Sequence, residues 1–341
     1  MPRVHLASLP TPLEELKRLR QAIGGPRILM KRDDLNGLAT GGNKLRKLEF
    51  LLGDALAKGC DTIITSGTVQ TNHGRLTAAA CAKLGLACIL VLTEPDDGVY
   101  EGNRILQKMF GARQVFVDDI DPSVSPERLD KEKLRAGEEK IAQVIGSLKA
   151  QGKKPYLIPR GGRSLQGTAG YVHAVCELNY QLNSQGLHAN HIFVPGATCS
   201  TLTGVLLGTR VFSMDTKVHG VALSRSPAEG RAMVEEEFNK DAAAMGYPFK
   251  INRDDITIYG EYMGAGYAVP TEKSREAQLL LARTEAVLLD PTYTAKAMSA
   301  YIDLVRQGAF HDDETVVFFH TGGTPLLFTE EMAEWVKNLQ P

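Results

Sequence analysis

The chain of 341 residues has a single tryptophan, and its five cysteines (Cys60, Cys81, Cys88, Cys176 and Cys199) form no C-x-x-C pair. An odd, unpaired set argues against a disulfide framework and a zinc knuckle, and suggests a reducing compartment. No metal site is expected. Charge of one sign is missing too, with 39 basic against 40 acidic residues and a formal net charge of −1. No global field therefore draws the chain to nucleic acid or anionic lipid. Long hydrophobic runs are absent: the apolar stretches at 89–92 and 316–319 fall far short of the roughly 20 residues needed to cross a bilayer. The opening Met-Pro-Arg-Val-His-Leu-Ala-Ser-Leu-Pro has neither an apolar core nor a cleavage site of a secretory signal. These absences predict a cytoplasmic globular protein with no membrane or nucleic-acid partner.

At 43% hydrophobic residues, the length suits about two domains of roughly 150 residues. Short apolar runs alternate with amphipathic stretches. Strands are predicted over 28–31, 61–65, 87–92, 114–117, 155–158, 191–194, 217–223 and 315–319, and helices over 72–84 and 101–110, closed by Gly85 and Gly111. That alternation implies βαβ units and parallel sheets. The stretch 121–154 opens with Pro122 and Pro126, becomes charge-dense, and reads as a solvated amphipathic helix. The expectation is an α/β protein with two sheets and a site between them, at the carboxyl ends of strands.

The densest cluster of special residues is Gly41-Gly-Asn-Lys-Leu-Arg-Lys-Leu-Glu49, which follows the strand at 28–31. Gly37 and Gly42 have the spacing of a phosphate-binding loop, but position 43 is Asn where that loop needs Lys, and no G-x-G-x-x-G follows any strand. Nucleotide chemistry is therefore disfavoured. Lys44 stands at a helix start after two glycines that let a ligand approach the backbone. The helix dipole and partial burial both depress an amine's pKa there, as a Schiff-base lysine requires. The pattern alone fits a solvated lysine equally well. A second cluster, Thr71-Asn72-His73, suits a substrate carboxylate at a helix N-terminus, and also suits an ordinary helix cap. A third, Gly196-Ala-Thr-Cys-Ser-Thr201, lies between strand and helix like a phosphate cup, with Cys199 read as a small buried residue. Tyr267 and Tyr293 lie in loops punctuated by Gly and Pro, and His320-Thr-Gly-Gly-Thr-Pro325 closes the last strand.

Together, G-G-N-K-x-R-K-L-E, Q-T-N-H, the Gly/Ser/Thr loop, D-P-x-Y-x-x-K and H-x-G-G-x-P resemble the family of 1-aminocyclopropane-1-carboxylate deaminase and D-cysteine desulfhydrase, from about Leu9 to Phe328. The resemblance implies a fold-type-II pyridoxal-phosphate enzyme, usually homodimeric, with the cofactor between two parallel-sheet domains. It implies a large domain of residues 1–47 and 161–341 with a small domain, 48–160, inserted. By the same resemblance Lys44 matches the Schiff-base lysine and Asn72 the amide facing the ring hydroxyl. Ala197, Thr198, Cys199, Ser200 and Thr201 match the phosphate loop, with Asn43, Thr294 and Thr321 as further cofactor contacts. Thr71 stands where the family usually has serine. Tyr267 and Tyr293 match the two active-site tyrosines, and Thr71, Asn72, His73, Gly162, Arg160 and Arg163 are expected around the substrate.

The family's ring-opening deaminases carry glutamate after the second tyrosine, and this chain has Thr294, as the desulfhydrases do. A hydroxyl supports a protonated pyridine nitrogen far less than a carboxylate. The resemblance thus implies α,β-elimination from a small amino acid to pyruvate and ammonia, of the D-cysteine desulfhydrase kind. Arg160 and Arg163 depart from the family's small or neutral residues. A site-facing arginine suits a sulfonate, which keeps L-cysteate sulfo-lyase in play beside cyclopropane ring opening.

Overall fold

The computed structural model describes residues 1–118 and 126–340, without the side chains of 126–131. In chain order its elements are β1 (Leu13–Glu15), α1 (Lys17–Ile23), β2 (Arg27–Arg32), α2 (Asn43–Ala57), β3 (Thr62–Gly67), α3 (Asn72–Leu84), β4 (Ala87–Leu92), α4 (Gly102–Met109) and β5 (Arg113–Phe116). They continue with α5 (Pro126–Ala150), β6 (Pro155–Leu157), α6 (Leu165–Ser184), β7 (His191–Gly196), α7 (Ser200–Val211), β8 (Lys217–Ala222) and α8 (Pro227–Ala244). Last come β9 (Thr257–Tyr259), α9 (Glu272–Glu285), α10 (Thr294–Arg306), β10 (Thr315–His320) and α11 (Glu330–Lys337).

Two sheets form, in the orders β1-β2-β10-β7-β8-β9 and β5-β4-β3-β6. Every pairing is parallel except that of β1 with β2. Strands covered on both faces need apolar residues at consecutive positions, and Ala-Cys-Ile-Leu-Val-Leu in β4 and Thr-Val-Val-Phe-Phe-His in β10 supply them. The larger sheet is packed on one face by α6, α7 and α8, through Val175, Leu178, Val205 and Phe238. Its other face takes α1, α9 and α10, through Leu19, Leu281, Met298 and Tyr301. The smaller sheet buries Leu48, Leu52 and Leu76 of α2 and α3 on one side. On the other, α5 lays Ile141, Val144, Ile145 and Leu148 against Ile64, Ile89 and Val91. The helix expected in 121–154 is thus amphipathic with one packed face, while residues 121–125 lie outside the described residues.

Two strands differ from expectation by their presence. β1 and β9 have three residues each, and Leu-Glu-Glu carries no apolar signal. β1 instead takes its register from β2, pairing Leu13 with Lys31 and Glu15 with Leu29. β7 runs two residues past its expected end, through Pro195. β10 leaves β7 at Phe193, so a residue without an N–H is tolerated where only β8 still pairs. Helix α2 runs unbroken through residues 47 and 48, so the regions built on the two sheets share it.

Candidate active site

The carboxyl ends of β2, β3, β7, β8 and β10 open onto one cleft of about 1450 Å³, as parallel α/β sheets dictate. The turn after β2 is held from both sides. Arg46, fully buried, donates Nε to Asp33 Oδ2 (2.8 Å) and Nη1 to Glu177 Oε2 (3.1 Å). From α3, Arg75 donates to the carbonyls of Ala39 (2.6 Å) and Gly41 (3.0 Å). Gly41 sits at φ +67, and a Cβ there would fall 2.0 Å from the Asp34 carbonyl oxygen, so no other residue fits. The Asn43 amide donates to the Thr321 carbonyl (3.0 Å) and its Nδ2 to Thr201 Oγ1 (3.0 Å), which ties three cleft segments together. Lys44 follows on the first turn of α2. Its Nζ donates to the Gly161 carbonyl (3.1 Å), and burial lowers its pKa to about 8. Burial is one of the two causes expected from the sequence.

At the start of α3, Thr71 is both the helix cap and a cleft residue; its Oγ1 accepts the Gly74 N–H (3.3 Å). Asn72 Oδ1 accepts Asn103 Nδ2 (2.9 Å), which leaves the Asn72 amide nitrogen as a donor. Asn103 has no signal of its own in the sequence. His73 borders the cleft but is buried, with Nε2 bonded to Thr65 Oγ1 (3.0 Å). Burial first, then Lys44 and Lys47, hold its pKa well below the ordinary range, so it stays neutral.

After β7, Ala197, Thr198, Cys199 and Thr201 line the cleft, with Cys199 in the left-handed conformation at the head of α7. Ser200 is fully buried and its hydroxyl has no hydrogen-bond partner among the described residues. Lys47 is in the same condition: fully buried, Nζ without a partner, its pKa driven well down by burial and then by Lys44. It also interacts electrostatically with Cys199 of the loop. A buried lysine nitrogen, within the field of Glu237 and Cys199, and a buried hydroxyl at the head of α7, both without a hydrogen-bond partner among the described residues, fit an anion bound at that helix N-terminus. Lys47 carries no motif signal of its own, but three residues on from Lys44 it lies on the same face of α2.

The remaining residues divide sharply. Tyr267 and Tyr293 both line the cleft, and their hydroxyls are directly hydrogen-bonded. Thr294 does not line it. Its Oγ1 donates to Asp290 Oδ1 (2.7 Å) and accepts the Asp290 N–H (2.8 Å), so the hydroxyl expected at the cofactor is spent inside the turn that opens α10. Thr321, at the end of β10, does line the cleft. Gly162 packs behind the wall, where a Cβ would meet Leu51 (3.3 Å) and Lys47 (3.4 Å); Gly161 presents its carbonyl instead. Arg163 lines the cleft with its Nε on Glu237 Oε2 (3.0 Å), an already paired charge. Arg160 lines it without an ion pair or hydrogen bond to any described residue, and its charge acts on Tyr267 and Tyr293.

Residues 4–322 match the family model described as pyridoxal-phosphate dependent enzyme. The chain belongs to that family. The enzyme is 39% identical over 333 residues to D-cysteine desulfhydrase of Salmonella choleraesuis (strain SC-B67), covering 96% of this chain and 95% of the relative. The D-cysteine desulfhydrase of Salmonella newport (strain SL254) matches to the same extent. A crystal structure described as the ACC deaminase homologue superposes with a TM-score of 0.86 at 34% identity, covering 99% of this chain and 97% of that one. The enzyme thus uses pyridoxal phosphate on a fold-type-II architecture, and the orphaned Lys47 and Ser200 fit a phosphate. Among the described residues no helix is long and apolar enough to cross a membrane, and no cluster of His, Cys, Asp and Glu is set to hold a metal ion.

Proposed function

We propose that the enzyme carries out α,β-elimination on a small β-substituted amino acid, D-cysteine first, giving pyruvate, ammonia and sulfide. The observation that carries it is the hydrogen-bonded Tyr267–Tyr293 hydroxyl pair on the wall of the cleft that holds Lys44. Lys44 would hold the cofactor, with Lys47, Ser200 and the amides of Ala197–Thr201 serving its phosphate, Asn72 its ring hydroxyl and Thr321 its ring nitrogen. Asn43 braces the phosphate loop through Thr201. Pyridoxal phosphate, when bound, supplies an electron sink for the pair left by the α-proton.

The substrate carboxylate is bound by Thr71, Asn72 and the free amides opening α3. With the cofactor bound, the Lys44 amine would be the base that takes the α-proton. With a pKa of about 8, the amine is poised near operating pH. As the bond from the β-carbon to sulfur breaks, the phenol pair would donate a hydrogen bond to the departing sulfur, stabilising its developing charge. Burial raises the pKa of Tyr293 well above the ordinary phenol value, so it is neutral and able to donate. The neutral His73 supports this wall without exchanging a proton.

A second reading, release of sulfite from L-cysteate, is favoured by Arg160, a cleft cation left free to pair with a sulfonate. Steady-state assays over D-cysteine, β-chloroalanine, L-cysteate and 1-aminocyclopropane-1-carboxylate test both. Pyruvate from the first two supports the proposal, a clear preference for cysteate replaces it with the second reading, and efficient ring opening overturns both.

We also assign residues 1–47 and 161–341 to a large cofactor-binding unit and 48–160 to an inserted small one, with α2 bridging them. The proposal is completed by a cytoplasmic homodimer. Five free cysteines suit that compartment, and exposed Tyr100, Ile105, Met109 and Phe328 offer apolar surface to bury. Sedimentation of the holoenzyme at the mass of a monomer would remove the dimer.

A further inference from the structure

Lys296 is a fully buried lysine that the chemistry above leaves without a task. Its Nζ donates to the carbonyl oxygens of Met263 (2.7 Å) and Gly266 (2.9 Å). No carboxylate among the described residues forms an ion pair with it; Asp290 acts on it only through its field. Holding an ammonium in the interior on two carbonyls is costly, and an apolar side chain would fill the space with less penalty. The return is the position of the segment it grips. That segment leads into Tyr267, passes through left-handed conformations at Gly264 (φ +70) and Ala268 (φ +61), and makes long hydrogen bonds of its own. Met263 N to Gly260 O is 3.2 Å, and Val269 N to Gly266 O is 3.4 Å.

Six residues before Lys296, Asp290 holds the other phenol. Asp290, fully buried, accepts the backbone N–H groups of Thr292 (2.9 Å), Tyr293 (2.8 Å) and Thr294 (2.8 Å). The carboxylate at 290 fixes the turn that presents Tyr293, and the ammonium at 296 reaches across to the strand of chain that presents Tyr267. We propose that Lys296 is a positioning residue for the reaction: by tying the Met263–Gly266 backbone to α10, it seats the Tyr267 hydroxyl on that of Tyr293, so that the two phenols work as one unit. This rests on the reading of those phenols as groups that face the substrate.

The test compares holoenzyme carrying Lys296→Met, Tyr267→Phe and both, assayed with β-chloroalanine, alongside amide hydrogen exchange of peptides spanning 260–270. Lys296→Met is expected to speed exchange there and leave 197–201 unchanged, and to lower kcat/KM by about tenfold to a hundredfold. Added to Tyr267→Phe, it is expected to cost less than about threefold more, because coupled residues are not additive. Unchanged exchange at 260–270, or a loss repeated in full on the Tyr267→Phe background, overturns the proposal. Should Lys296→Met fail to fold, Lys296→Leu, also apolar and without a donor, gives the same comparison. If Tyr267→Phe alone keeps wild-type kcat/KM, the proposal falls with its premise, and exchange that is still faster in the lysine variant shows that the tie itself was real.

Discussion

Lys44 Nζ meets the backbone carbonyl of Gly161 at 3.1 Å, a contact between residues 117 apart in sequence. Gly161 is at φ +68, and a Cβ there would stand 2.9 Å from Thr198 Cγ2 and 3.3 Å from Lys44 Nζ. Gly161→Ala therefore presses on the amine and the phosphate loop together. We expect cofactor affinity to fall at least about tenfold, since close packing leaves no room for a methyl, as read by titrating apoprotein with pyridoxal phosphate. In the wild type, covalent attachment to Lys44 should accelerate with rising pH through about 8, where the buried amine loses its proton. Borohydride reduction should leave the label on Lys44, and a label elsewhere would sink the assignment.

The two threonines make opposite predictions. Thr294→Val removes a hydroxyl that both donates to and accepts from Asp290, so it should cost roughly 1–3 kcal/mol of folding stability and leave the cofactor's absorption band in place. Thr321→Val should shift that band and weaken cofactor binding with little effect on stability. Spectra and urea midpoints of the two variants decide it, and a band shift confined to Thr294→Val would reverse the assignment.

Arg160 and Arg163 are likewise separable. If the free guanidinium of Arg160 reads an anionic β-substituent, Arg160→Ala should lower kcat/KM for L-cysteate by about one to two decades, the worth of a charge-assisted hydrogen bond. β-Chloroalanine, alike except for that substituent, should change little. Arg163→Ala strands the buried Glu237 carboxylate and should impair both substrates equally. Equal losses from Arg160→Ala would assign it to the fold, and the sulfite-releasing reading would lose its support.

A fourth prediction lies far from the cleft, at the buried histidine of β8. His219 bonds to His191 Nδ1 (3.0 Å) and the Tyr259 hydroxyl (3.0 Å), and stacks on Phe193 with centroids 4.6 Å apart. Burial first, then His191 and Lys217, push its pKa from 6.5 down to about 3. Between those values the unfolded chain takes a proton that the native state refuses. Stability contributed here is present above about pH 6.5 and is lost as pH falls toward 3, by up to about 1.4 kcal/mol per pH unit. His219→Phe should flatten that slope in urea midpoints measured from pH 4 to 7. An unchanged slope would place the acid sensitivity elsewhere.

Much of this architecture is legible in the sequence where a local signal and the tertiary demand coincide. Helix α3 begins at Asn72 because Thr71 caps it, and ends at Gly85 because a left-handed residue is needed there. Both facts are written in residue types. β1 is not legible, because its three residues owe their conformation to β2. Lys44 and the tyrosine pair follow from motif order, whereas the packing of Thr294 against Asp290 and of Gly162 against Leu51 and Lys47 is not written in any motif. One residue's step around a turn decides whether a hydroxyl meets the cleft or Asp290, and no pattern of types encodes that step. Lys47 was readable from helical spacing. The spacing of Lys296 was visible too, but its partners are carbonyls, which every residue has.

The position of β10 in the larger sheet bears on how the protein is made. The last strand in chain order among the described residues lies between β2 and β7, and its Thr321 carbonyl anchors the amide next to Lys44. On the ribosome, the stretch from Thr62 to Leu157 can close its own four-stranded sheet early, while β2 and the lysine loop wait for a neighbour synthesised nearly three hundred residues later. A nascent chain stopped before residue 315 should therefore carry Lys44 without being able to capture the cofactor, so holoenzyme assembly waits for the synthesis of β10.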